Sequence, residues 1–343
     1  MRYLGLPALL LPLLAACTQK SDADYRAEIT TSIHDLIGED LAALVQGARE
    51  LQASAPDHAW DSTVDAAAIT AMQDAWKRTR VAYEHVEGAI VALFPEVDAT
   101  LDARYEDMVG KLGSDGDLDL FDGRGVTGMH AIERILYAPA IRFEVIKFER
   151  GLTGYQPAAY PTTDDDAISF KTVLVQLLID DVNQLRKQWQ PTAIDIGSAY
   201  QGLVGLMNEQ TDKVNRGATG QEESRYANLT LFDLRQNLEG TKEVYGLFRE
   251  WVRSKAAGGE ADATLQSKFD ELATLYAATT SDSLPVAPDG WSPDHPTAAS
   301  LATPFGALWE SVQASVDPRS NGSVVSEMNH IATLLGLPEF VAP

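Results

Sequence analysis

Ile29-Thr30-Thr31-Ser32-Ile33-His34-Asp35-Leu36-Ile37-Gly38-Glu39-Asp40-Leu41-Ala42-Ala43-Leu44-Val45 carries its apolar residues at intervals of three and four. A helix gathers those positions on one face, whereas a strand scatters them over both. The stripe runs through residues 25–53 and stops before Pro56, whose ring disfavours helical geometry in the residue preceding it. A second segment starts near Asp65 and carries Ile69, Met72, Ala75, Trp76, Tyr83 and Val86 to Leu93 and Phe94, with Pro95 as its stop. Alternating strand patterns are scarce, so the expected class is all-α.

The same period continues downstream. Residues 101–112 predict a shorter helix, residues 113–125 a loop with four Asp and four Gly, and residues 127–137 another helix. Prolines, tyrosines and the Asp164-Asp165-Asp166 run make residues 151–166 a connection between halves. Further helices are expected over 167–189, 194–214, 225–255 and 261–278. An irregular stretch over 281–304 precedes terminal helices at 304–316 and 324–335. The reading is two successive four-helix bundles, the N-terminal one over residues 25–160 and the C-terminal one over 165–343.

Lys and Arg total 27 against 50 Asp and Glu, a net charge of -23 that repels phosphate backbones, so nucleic acid is not an expected partner. The first residues form an address: Met1-Arg2 is basic, residues 4–14 are apolar but too short to span a bilayer, and Leu14-Ala15-Ala16-Cys17 resembles a lipobox. Cys17 is the only cysteine, which excludes disulfides within the chain and makes it the expected lipid carrier. No later stretch approaches the ~20 continuous apolar residues of a membrane span. The expectation is a leader over residues 1–17 and a helical body facing the periplasm or cell envelope, held to the membrane by its lipid anchor. Thr18 in place of Asp after Cys17 favours the outer membrane if the source is Gram-negative.

The chemistry concentrates in Gly128-Met129-His130-Ala131-Ile132-Glu133 and in a run of acids before it. Residues three apart share a helix face, so the His130 imidazole and the Glu133 carboxylate are able to converge. Glu84 and Glu87 stand three apart near the end of one helix, and Asp98, Asp102 and Glu106 follow at four-residue spacing. That many acids in a bundle interior must face water, pair with cations such as Arg80 and Arg104, or hold a metal. Taken singly, each acid also fits a solvated helix face, and His130 with Glu133 also fits a core histidine beside a carboxylate. Taken together, one imidazole among oxygen donors, without thiolates, suits iron, manganese or zinc. Ferric iron is the hardest common candidate. HExxH, GxSxG, Gly-rich phosphate-loop and CxxCH haem motifs are all absent. His85 is turned away from both Glu84 and Glu87 and is the least expected ligand. Proton competition predicts metal affinity that weakens below pH ~6.5, and again toward ~4.

Gly128-Met129-His130-Ala131-Ile132-Glu133-Arg134 resembles the GxHxxE signature of the imelysin family. Residues 76–87, from Trp76 to Glu87, are similar to its iron-uptake branch, the EfeO/EfeM-like proteins, as are Phe94-Pro95-Glu96-Val97-Asp98 and Leu101-Asp102-Ala103-Arg104-Tyr105. Glu222-Glu223-Ser224-Arg225-Tyr226, with Asp233-Leu234 and Asn237-Leu238-Glu239-Gly240, resembles a further block. The resemblance implies two helical bundles with a metal site around His130 and Glu133, joined by Glu84, Glu87, Asp98 and Asp102 as candidate co-ligands. Glu223 and Glu239 are candidates to approach from the second half. It also implies iron, or copper or zinc in its place, and an iron permease or peroxidase-like uptake partner. An imelysin-type metallopeptidase and a non-catalytic envelope adhesin or scaffold are the alternatives.

Overall fold

The computed structural model describes residues 20–95 and 100–342, and every regular element among them is helical. Cys17 with the leader, and Asp98 in the acidic run, lie outside the described residues. Helix α1 (Asp22–Ser54) begins three residues before the first apolar stripe. The Ser21 hydroxyl accepts the Asp24 N–H while the Asp24 carboxylate accepts the Ser21 N–H, closing a capping box that fixes the start. Helix α2 (Ala66–Leu93) ends before Pro95 as the proline requires. Then follow α3 (Tyr105–Leu112), α4 (Met129–Leu136) and α5 (Phe143–Glu149). A second capping box, built on Thr163 and Asp166, starts α6 (Asp164–Ser169), which passes through a π-helical turn (Phe170–Leu174) into α7 (Val175–Trp189). The remaining helices are α8 (Ile196–Arg216), α9 (Thr230–Arg253), α10 (Gly258–Ala277), α11 (Ala298–Leu301), α12 (Pro304–Val316) and α13 (Val324–Leu335).

One difference from the periodic reading matters for the site. Residues 225–229 were expected to be helical, yet α9 starts only at Thr230, and Asn228 adopts a left-handed φ of 57°. The stretch from Gln221 to Leu229 is therefore a loop, and its backbone N–H groups need partners outside a helix.

Helix α2 is the hub, packed against α1, α4, α8 and α9. Helix α7 lies on α1, so the helix after the 151–166 connection returns to the N-terminal pair. A continuous buried cluster runs from Tyr25 through Trp76, Val204 and Phe248 to Leu337. Helices α2 and α8 cross so closely that a Cβ on Gly202 would overlap the Gly88 carbonyl. That crossing brings acids of α2 within reach of α8. No helix among the described residues is long and apolar enough to cross a membrane.

Candidate metal centre

Three chain segments build the centre. Gly128 opens α4 with φ 87°, and a Cβ there would stand 2.8 Å from the Thr100 carbonyl and 2.9 Å from that of Leu101. Only glycine combines that φ with that approach, so the first residue of the GxHxxE motif seats α4 against the segment carrying Asp102. Every residue of α4 is buried, and its start is held by Trp76, whose indole N–H donates to the Met129 carbonyl. The loop before α9 supplies Glu223.

His130 Nε2 lies 3.1 Å from Asp102 Oδ1. It lacks the alignment of a hydrogen bond and is a buried nitrogen without a hydrogen-bond partner. Asp102, His130 and Glu223 each offer a ligand atom, and these atoms lie within 4.8 Å of one another. One imidazole nitrogen and two carboxylates form a hard donor set that fits iron, with zinc or copper as competitors.

Glu133 converges on His130 itself. His130 Nδ1 stands 2.8 Å from Glu133 Oε2, and Glu133 Oε1 accepts the backbone N–H groups of Tyr226 (2.9 Å) and Ala227 (2.8 Å). The other predicted acids among the described residues are paired with cations. Glu84 accepts from the fully buried Arg80 and from Asn237, and Arg80 also donates to Asp102. Glu87 accepts Lys213 Nζ at 2.8 and 2.9 Å. Arg104 donates to Glu223 at 3.0 Å and to the carbonyls of Gln221 and Glu222. Glu239 is half exposed on α9 and pairs with Lys242. The His85 Nε2 bonds Gln236, away from the cluster.

Pairing with Arg80 and Arg104 was legible from the sequence; Asp233 and Asn237 stood only within a resembling block, without a role, and Lys213 was not named. Lys213 left one signal, a cation on the mostly apolar buried face of α8, which carries Met207 and Val214 and, besides Lys213, the polar Gln210. Asp233 accepts the Ser224 N–H with Oδ2, while its Oδ1 faces Arg80 Nε across 3.8 Å.

The charges leave an excess of anion. Among the described residues, Glu84, Glu87, Asp102, Glu133, Glu223 and Asp233 face Arg80, Arg104 and Lys213, with His130 as the titrating member. Burial disfavours a charged His130 ring, but Asp102 and Glu133 outweigh it and push the ring up to about 9. Burial would likewise raise Asp102, yet His130 and Arg80 hold it well below the usual carboxylate range. Glu223, opposed by burial but facing Lys213 and Arg104, is drawn down to about 2. Asp233 goes the other way, pushed by burial up to about 7 despite Arg80. A proton on His130 thus offsets charge that a bound cation is able to offset instead.

An all-helical chain with this buried histidine–carboxylate centre matches the family model described as imelysin over residues 37–303, and it belongs to the imelysin family. It is 28% identical over 284 residues to an Efem/EfeO family lipoprotein of Staphylococcus haemolyticus, covering 79% of this chain and 84% of that protein. It is 25% identical over 193 residues to the iron uptake system component EfeM of Pseudomonas syringae pv. syringae, covering 56% of this chain and 52% of that protein. An Efem/EfeO family lipoprotein of Staphylococcus aureus is 25% identical over 201 residues, 58% of this chain and 56% of that protein. The chain thus spans about half the length of the last two relatives.

Proposed function

We propose that this chain is an envelope-anchored lipoprotein that captures iron at Asp102, His130 and Glu223 and passes it to a membrane uptake partner, a permease or a peroxidase-like protein. The observation that carries the reading is the convergence of the buried His130 and Glu223 with the part-buried Asp102 inside a cluster with excess negative charge. The names of the relatives, an iron uptake component and Efem/EfeO lipoproteins, point the same way. Capture and release need reversible coordination and no bond cleavage, so the proposed role is not enzymatic. Cys17 is the proposed lipid carrier, and the periplasmic face of the envelope the proposed location.

The test is calorimetric binding of Fe(III), Fe(II), Cu(II) and Zn(II) to the protein lacking residues 1–17, beside His130→Ala and Glu223→Gln. Tight iron binding in the parent, weakened by at least about 100-fold in both variants, is the expected result. Equal binding in all three proteins would remove the centre, and peptide hydrolysis abolished by the same variants would move the metallopeptidase reading ahead.

A further inference from the structure

We infer that Glu133 is a positioning residue for the centre and not one of its metal ligands, an inference that rests on the proposed Asp102–His130–Glu223 site. Both oxygens of its carboxylate are already engaged. One oxygen accepts two backbone N–H groups of the loop that carries Glu223, and the other accepts the His130 Nδ1 proton. Glu133 is fully buried and its Oε2 sits at Nδ1, across the ring from the Nε2 that faces Asp102, so binding a cation at Nε2 would require it to leave the ring it now holds.

The two halves of this arrangement do different things. The bond to Nδ1 fixes both the ring plane and the tautomer. With the proton held on Nδ1, the lone pair of the neutral ring lies on Nε2, the nitrogen near Asp102 Oδ1. The bonds to Tyr226 and Ala227 tie the loop to α4, and the same loop is held at its other side by Tyr226 Oη, which donates to Glu149. One carboxylate therefore sets the direction of His130 and the position of the segment bearing Glu223. It couples two of the three arms of the site without touching the cation.

Glu133→Gln separates positioning from ligation, because an amide has one acceptor oxygen and one donor nitrogen where the carboxylate has two acceptors. Two backbone N–H groups claim the amide oxygen, since the reverse orientation would leave both facing another donor. The amide N–H₂ then faces His130 and donates to Nδ1. That forces the ring proton onto Nε2 and blocks the nitrogen needed for the metal. The loop clamp survives, so the variant retains its fold.

The experiment reads the ring nitrogens of His130 by ¹⁵N resonance in the metal-free protein, at a pH where the ring is neutral, together with Zn(II) calorimetry. The parent is expected to show the Nδ1–H tautomer and Glu133→Gln the Nε2–H tautomer, with Zn(II) affinity down by about 10- to 100-fold. Asp102→Asn, a ligand variant, is expected to lose Zn(II) while keeping the parent tautomer. Loss of Zn(II) in Glu133→Gln with the Nδ1–H tautomer unchanged would make Glu133 a ligand and overturn the inference, as would unchanged Zn(II) affinity. Failure of the site shows separately, as Zn(II) affinity unchanged in His130→Ala, and it overturns both readings.

Discussion

Lys213 on α8 points its Nζ at both oxygens of Glu87 on α2, at 2.8 and 2.9 Å, and the same nitrogen stands 3.8 Å from Glu223. A buried ammonium of this kind links the two halves of the chain and shields the acids that flank the centre. Removing it strands charge in the interior. Lys213→Met is expected to destabilise the protein by about 3–5 kcal/mol in chemical denaturation, and the added change Glu87→Gln to recover a substantial part. Strictly additive losses in the pair would show that the two side chains are not coupled.

Stability of the metal-free protein depends on pH through the same cluster. His130 rises from ~6.5 in the unfolded chain to about 9 in the fold, so its contribution is complete below ~6.5 and is lost as pH climbs through about 9. Glu223 is drawn down to about 2, so its contribution is complete above ~4.3 and disappears as pH falls through about 2. Unfolding free energies compared at about pH 6 and about pH 10 should differ by on the order of 3 kcal/mol from His130 alone. A stability that holds level or grows over that span would contradict the ion pairs drawn around His130.

Metal affinity should vary with pH in the opposite sense. Below about 9 the metal competes with a proton on His130, so affinity rises roughly tenfold per pH unit until the ring is neutral. The sequence alone placed this competition near ~6.5; burial opposes a charged ring, but the Asp102 and Glu133 carboxylates outweigh it and move the competition upward. Calorimetry in buffers of different ionisation enthalpy should detect the released proton at about pH 7.5, and its absence would exclude His130 as a ligand.

The proposed ligands come from three separate segments, so a bound cation would cross-link them. At a metal concentration a hundred times Kd the folded state should gain about 2.7 kcal/mol, reversed by a chelator. Thermal unfolding that ignores both metal and chelator would argue against a site that spans the segments.

Gly202→Ala tests the close crossing of α2 and α8, because the added methyl meets the Gly88 carbonyl. A loss of about 1–3 kcal/mol is expected by thermal unfolding, with a fall in metal affinity as the helices part and Lys213 shifts from Glu87. An unchanged melting temperature would mean that the crossing relaxes freely.

The all-α class was legible because apolar spacing and proline stops are local signals, and α1, α2, α12 and α13 lie within a few residues of their expected spans. The loop before α9 was not, since Gln221 to Leu229 avoids a helix through bonds to distant groups, Glu133 and Arg104 among them. Asp102 and His130 were readable as candidates from residue type and spacing. Glu84 and Glu87 carried the same signal; Glu84 meets Arg80 one turn away on its own helix, whereas only the packing of α2 against α8 brings Lys213 to Glu87.

By itself the sequence determined the helices, the acidic surplus and a histidine–carboxylate motif, all of which follow from periodicity and composition over short spans. Tertiary structure decided the division of labour within that motif. Helical spacing places His130 and Glu133 on one face but does not say what fills the space before them. The loop that returns from residue 222 supplies N–H groups to Glu133 and a carboxylate to His130, and that meeting of segments some 90 residues apart is a product of packing, to which local spacing is blind.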